Sequence, residues 1–292
     1  MLGNPQVRFL GGLGLATTPG YPMFENRIGM KISVHYYSGA GNTEFLAKKI
    51  AKSFKNNSCS VHINRITDYS IQNIRDDFDI LGIGFPIYFR EAPELIYDFL
   101  KKLDGKGRPI FFFATKGLYS GNTVKNTMTF AVAHNFQPVG SIEFYMPGTD
   151  FLILFARKNS LVEKILKFIH CRNFDKRTNI FREKLQGLSP AKIPLKKWYT
   201  FFDDYIVKKL EKIYDNHHKD CIEKFYAKPD ICVECMKCIK ECPKNNITFD
   251  KHIKFGTRCD VCFRCINLCP VESIQIGNIT EGHVRYNKVE LK

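Results

Sequence analysis

The sequence predicts an α/β chain: a doubly wound five-stranded parallel sheet, then a helical connecting segment and a small α+β domain. Three observations carry that prediction. Between residues 30 and 155, five short apolar runs alternate with loops and segments of helical spacing. A turn of small residues, 38–43, follows the first run, where a doubly wound sheet places its ligand loops. Further on, a four-cysteine run occurs twice, its copies 27 residues apart.

Residues 1–29 are punctuated by Gly3, Gly11, Gly12, Gly14, Pro19, Gly20 and Pro22 and keep no period, so they are expected to be a loose extension. A dinucleotide fingerprint fails there because position 17 is Thr. A secretory leader fails too, for want of a basic start and a clean apolar core. From Lys31 to Tyr37 the chain reads as a buried strand, and Glu44 to Phe54 as a helix, with helical spacing at Phe45, Leu46, Lys49 and Ile50. Cys59 to Asn64 is a second strand. Asp79 to Phe85 is a third, whose glycines are expected to admit a helix or ligand. A loop at 86–93 leads to a helix from Glu94 to Leu103. Pro109 to Thr115 is apolar as a central parallel strand should be. A loop at 116–122, a helix to about His134 and a strand from Val139 to Met146 complete the alternation. Ligands are then expected at the carboxyl ends of the strands, where loops 38–43, 86–93 and 116–122 gather. No Gly-Lys-Ser/Thr follows the first loop, which argues against nucleotide triphosphate hydrolysis.

The cysteine runs are Cys232-x-x-Cys235-x-x-Cys238-x-x-x-Cys242-Pro243 and Cys259-x-x-Cys262-x-x-Cys265-x-x-x-Cys269-Pro270. They hold eight of the eleven cysteines. This is the bacterial spacing for two [4Fe–4S] clusters, in which three thiolates grip one cube and the fourth cysteine, before proline, ligates the other. Cys232, Cys235, Cys238 and Cys269 are thus expected on one cluster, and Cys259, Cys262, Cys265 and Cys242 on the second. Zinc is the rival, but its sites usually pair Cys-x-x-Cys knuckles far apart. Cys59, Cys171 and Cys221 fall outside any ligand spacing and read as idle thiols. His217 and His218 read as a solvated helix end.

Ser38-Gly39-Ala40-Gly41-Asn42-Thr43 resembles the flavodoxin phosphate loop, commonly Ser/Thr-x-Thr/Ser-Gly-Asn-Thr, with Ala40 in place of a hydroxyl residue. That resemblance implies FMN. Its contacts would come from those six residues, from Pro86, Ile87, Tyr88 and Phe89, and from Thr115, Lys116, Gly117, Tyr119 and Gly121. Tyr88 and Tyr119 are candidates to stack on the flavin ring; the plainer alternative is that they pack on their own sheet. Lys116 and Arg90 would bring positive charge that favours an anionic reduced flavin. Residues 226–278 resemble bacterial-type two-cluster ferredoxins. Asn245-Asn246-Ile247 and Val271-Glu272-Ser273-Ile274 stand at that family's turn-and-strand positions, Ser273 replacing the usual Ala.

Taken whole, Met30 to Asn278 resembles the flavodoxin–ferredoxin fusions of anaerobes. The resemblance implies a flavodoxin-like domain at 30–155, a basic helical connector at 156–225 and a ferredoxin domain at 226–292. The implied work is electron transfer between two clusters and FMN, or an external redox partner. A flavin-dependent reductase of a small molecule, and a flavin-free redox adaptor or sensor, stand as alternatives. In the connector, Leu161, Ile165, Phe168 and Ile169 give a helical stripe running towards Phe181 and Leu185. Trp198, Phe202, Tyr205, Ile206, Leu210 and Ile213 give another, and both read as packing faces. The formal charge of +15 is spread along the chain without an arginine-rich tail, so nucleic acid is not the expected ligand. A solubilising surface and steering towards an acidic redox partner are the two roles it fits. With no run long enough to span a bilayer, and with thiol-rich iron sites, the expected setting is a reducing cytoplasm.

Overall fold

The computed structural model describes residues 29–55, 59–88, 90–117, 120–168, 173–185, 188–194 and 220–286. The glycine-rich start, the stripe from Trp198 to Ile213, Cys171, His217 and His218 lie outside those residues.

Five strands form one parallel sheet: β1 (Lys31–Tyr36), β2 (Ser60–Arg65), β3 (Ile80–Pro86), β4 (Pro109–Lys116) and β5 (Gln137–Tyr145). Their order is β2-β1-β3-β4-β5, the doubly wound arrangement with its switch point beside β1. Sequence expectation and structure agree to within one or two residues at the ends of each strand. The central strand β3 is buried along its whole length and β4 up to Lys116, because helices cover both faces. Edge strand β2 has no buried residue. One departure concerns Gly82 and Gly84. Their bare faces meet neither a helix nor a ligand: a Cβ there would stand 2.4 Å and 2.0 Å from the rings of Phe111 and Phe113 on β4.

The helices are α1 (Asn42–Lys55), α2 (Asp68–Gln72), α3 (Glu94–Lys101), α4 (Thr123–Ala133), α5 (Thr149–Phe155), α6 (Leu161–Phe168) and α7 (Phe174–Leu185). Leu46 and Ile50 of α1 share one core layer with Phe174, Phe181 and Leu185 of α7. Ile71 of α2, Leu95 and Phe99 of α3 and Met128 of α4 fill the layer on the opposite face. The continuous stripe expected from Leu161 to Leu185 is two separate helices, with Asn173 in the left-handed region (φ 59) at the start of the second. Their fates differ. α7 buries Phe174, Phe181 and Leu185, whereas Leu161, Ile165 and Phe168 of α6 are exposed.

Beyond residue 220 lie two small antiparallel sheets. β6 (Phe225–Ala227) pairs with β9 (Ile274–Ile276), and β7 (Ile247–Asp250) with β8 (His252–Phe255). The short helices α8 (Lys237–Lys240) and α9 (Arg264–Leu268) each follow the second cysteine of a run. Ile153 of α5 joins Phe225, Val261, Phe263, Ile266, Ile274 and Ile276 in one core, so the helix after β5 anchors this part. Among the described residues, no helix is long and apolar enough to cross a membrane.

Candidate functional site

A cleft of about 380 Å³, counting its open mouth, lies at the carboxyl ends of the strands, where a doubly wound sheet binds its ligands. On one side stand Ser38, Gly39, Ala40, Asn42 and Thr43; on the next, Pro86, Ile87 and Tyr88; on the third, Thr115, Lys116 and Gly117. Gly41 shapes the first loop from behind, with φ of 103°, and its N–H donates to Ser38 Oγ at 3.1 Å. Gly121 lies outside the lining, against Arg90. Phe89 and Tyr119 are outside the described residues.

Local chemistry explains the loop. Phe45 N–H donates to Gly41 O, the first helical bond of α1, so the N–H groups of Asn42 and Thr43 have no partner inside the helix. They stand at the positive end of a 14-residue helix, beside the cavity. The buried hydroxyls of Thr43 and Thr115 are 2.8 Å apart and tie the first loop to the third. Asn42 Nδ2 donates to Pro147 O at 3.1 Å, while Tyr286 Oη donates to Asn42 Oδ1 at 2.6 Å.

Met146, Pro147, Gly148, Thr149 and Asp150 complete the lining, and sequence reasoning passed over this fourth loop. The only signal for it was position: it follows the last strand of the sheet. The expected positive charge is also modified. Lys116 Nζ lies 2.5 Å from Glu143 Oε2 and 4.6 Å above the Tyr145 ring, so its charge is neutralised within the sheet edge.

Two further cavities are bounded by cysteines. One, of about 340 Å³, is lined by Cys232, Cys235, Cys238 and Cys269; the other, of about 390 Å³, by Cys242, Cys259, Cys262 and Cys265. Each therefore gathers three thiols of one run and the last of the other. Among the described residues, no three His, Cys, Asp or Glu side chains converge on a point that would suit a single metal ion.

The backbone repeats with the cysteines. Glu234, Met236 and Asn245 have φ of 48°, 56° and 47°; their counterparts 27 residues on, Val261, Phe263 and Glu272, have 48°, 56° and 53°. Left-handed backbone at a non-glycine residue costs on the order of 1–3 kcal/mol and gathers at functional sites. Here it aims N–H groups at sulfur. Asn246, just after Asn245, donates to Cys242 Sγ at 3.4 Å, and Ser273, just after Glu272, to Cys269 Sγ at 3.2 Å. Val261 donates to Cys259 Sγ at 3.3 Å. Burial pushes the Cys259 thiol up to about 12 and that of Cys265 well above its ordinary value.

The second cysteine cavity abuts the first site. Gly39 is the close approach: a Cβ there would lie 2.3 Å from Tyr88 Oη and 2.5 Å from the Cys262 carbonyl oxygen, so only glycine fits. Arg264, nearly buried, donates to Gly39 O at 2.9 Å and through Nε and Nη2 to Glu241, which Arg65 of β2 also grips at 2.7 Å. Lys244, also buried, reaches Glu94 at 2.8 Å and Asp260 at 3.6 Å. Burial works against the Lys244 charge, yet Asp260 and Glu94 outweigh it and hold the ammonium above its ordinary range. Lys244, Asp260 and Arg264 all line the second cavity. Lys237 lines the first cysteine cavity, whereas Arg258 is turned away to pair at 3.0 Å with Asp68.

Residues 33–138 match the family model of the flavodoxin domain. A curated flavodoxin of Maridesulfovibrio salexigens is 32% identical over 89 residues, 28% of this chain and 61% of that protein. The chain thus spans about three-fifths of the length of that relative. Similar solved structures include the two-electron reduced flavodoxin of Megasphaera elsdenii, with 23% identity, a TM-score of 0.34, and coverage of 38% of this chain and 85% of that one. Another is a flavoprotein in complex with FMN from Lactobacillus acidophilus, with 18% identity, a TM-score of 0.32, and coverage of 39% and 93%. The sheet order and the family match make residues 33–138 a flavodoxin-like domain.

Proposed function

We propose that this chain is an electron-transfer protein that carries FMN in the 380 Å³ cavity and a [4Fe–4S] cluster in each cysteine cavity. The observation that carries the reading is the crosswise sorting of eight thiols around two cavities, the second of them against the phosphate-type loop. When bound, a flavin exchanges one or two electrons and each cluster one, so the chain would join one- and two-electron couples.

The residues present fit both groups. For FMN, the N–H groups opening α1 suit a phosphate, while Met146, Pro86, Ile87 and Tyr88 supply an apolar lining for a flat ring. Thr43 and Thr115 hold the two loops at a set separation. For the clusters, N–H donors to three cysteine sulfurs would stabilise thiolates and raise the potentials. Three thiols of one run with the last thiol of the other, in a spacing repeated twice, suit a cube of iron and sulfide better than one zinc ion. The parts of this reading are a flavodoxin-like domain, a connector and a ferredoxin domain, and the external partner would be another redox protein.

The test is cofactor analysis of protein purified without oxygen. Iron and sulfide equal to two [4Fe–4S] clusters and one FMN per chain are expected. Zinc without sulfide, or a chain that takes up no FMN from solution, would refute the corresponding half.

A further inference from the structure

We infer that the two cysteine sets are not equivalent: Cys242, Cys259, Cys262 and Cys265 hold an inner relay coupled to the flavin cavity through Tyr37 and Gly39, while Cys232, Cys235, Cys238 and Cys269 hold an outer one that faces an external carrier. The inference rests on the function proposed above and adds to it an order.

Three observations separate the sets. Cys262 belongs to the core of the sheet domain, packed with Tyr37 and Phe85 and against Ile87 and Tyr88. Tyr37, fully buried at the end of β1, donates through Oη to Asp260 Oδ2 at 3.2 Å and also reaches the Cys262 thiol. The ring of Tyr37 meets that of Tyr88 edge-on at 6.4 Å, and Tyr88 with Gly39 lines the flavin cavity. A continuous packed path therefore runs from the inner thiols to that cavity with no solvent gap at Gly39. The outer set has the opposite character. Cys235 is exposed, and Val233 beside it on the same cavity is 58% exposed.

Ion pairs fasten the inner set to the sheet domain: Lys244 and Arg264, both on the inner cavity, are held by Glu94 of α3 and Asp260, and by Glu241 and Gly39 O. In the direction that reduces flavin, a one-electron carrier protein of the ferredoxin class loses one electron and the outer group gains it. By way of the Cys242, Cys259, Cys262 and Cys265 set that electron would pass on to a flavin in the Gly39–Tyr88 cavity; two such deliveries, with two protons from solvent, would balance the reduction of one flavin.

The experiment is an anaerobic redox titration of the full chain, followed by electron paramagnetic resonance, with one buried near-isosteric variant and one exposed charge variant. Tyr37→Phe leaves the Asp260 carboxylate, on the inner cavity beside Cys262, without its hydroxyl donor. It is expected to make one cluster harder to reduce, by up to about tenfold in the one-electron equilibrium, or about 59 mV. Val233→Glu adds a negative charge at the outer rim and is expected to make the other cluster harder to reduce. Returning FMN to flavin-depleted protein is expected to perturb the Tyr37-sensitive cluster. The ordering is overturned if both variants move the same cluster, if Tyr37→Phe moves neither, or if FMN perturbs the Val233-sensitive one. Missing sulfide or missing FMN would instead overturn the function on which the ordering rests, a result the cofactor count distinguishes beforehand.

Discussion

Replacing Arg264 by Ala should open the contact between the cysteine-bearing part and the sheet domain more than any single exposed ion pair would. The guanidinium makes one hydrogen bond to Gly39 O, at 2.9 Å, and two to Glu241. Glu241 is 37% exposed at its side chain and keeps Arg65, so water and the second arginine recover part of its loss. About 1 kcal/mol is a fair share for that arm. Gly39 O, in a buried loop, is left without its donor, which costs about 1–2 kcal/mol. The sum is about 2–3 kcal/mol, or roughly 30- to 150-fold in the opening equilibrium. Hydrogen exchange of the amides at 39–43 and 262–264 reads that equilibrium directly. Arg258→Ala is the control: its side chain is 68% exposed and its partner is Asp68, so the change should stay within about 0.5 kcal/mol. Equal, small effects from the two substitutions would refute the claim that Arg264 pins the halves together.

Cys242→Ser, though it lies in the first run, should remove the same cluster signal as Cys259→Ser; loss of the signal that Cys235→Ser removes would contradict the crosswise sets. Thr43→Ala breaks the 2.8 Å contact with Thr115 and is expected to weaken FMN binding by about 1–2 kcal/mol, measured by fluorescence titration. Unchanged affinity would take this loop out of the site. His35, buried beside Ser33 and Phe99, has its pKa lowered to about 4 by burial against an ordinary 6.5. The unfolded chain therefore protonates first, and stability is full above pH 6.5, falls between 6.5 and 4, and is flat in this respect below. From pH 7 to 5 the loss attributable to His35 is about 2 kcal/mol. His35→Gln should flatten that part of the stability profile in denaturant melts, and an unaltered slope would exclude His35 as its source.

The sheet is legible in the sequence for a plain reason. Parallel strands covered on both faces read as unbroken apolar runs, as in Ile80–Pro86 and Pro109–Lys116, and loops between such strands and the next helices have no alternative edge to occupy. The crosswise thiols were legible because their spacing is written locally, twice. What escaped depends on distant neighbours. Nothing near Arg264 in sequence announces Gly39, 225 residues away, and Lys244 gives no hint of Glu94. The lining at 146–150 has no motif, only a place after the last strand. The five-residue helix α2 is set by a local exchange between Thr67 and Ser70, too short for any hydrophobic period to register. At Asn173 a left-handed residue precedes α7, and its periodicity alone gave no sign of a break.

Asn42, at the head of α1, is held by the hydroxyl of Tyr286, whose own N–H donates to Asn267 Oδ1. The two ends of that bond are 244 residues apart, so during synthesis the early loop must wait until the distant tyrosine has been made. A growing chain can fold its sheet early and still lack this last fastening until both cysteine runs have been made. The earliest-made pocket is therefore the last to be fastened, against the order of translation.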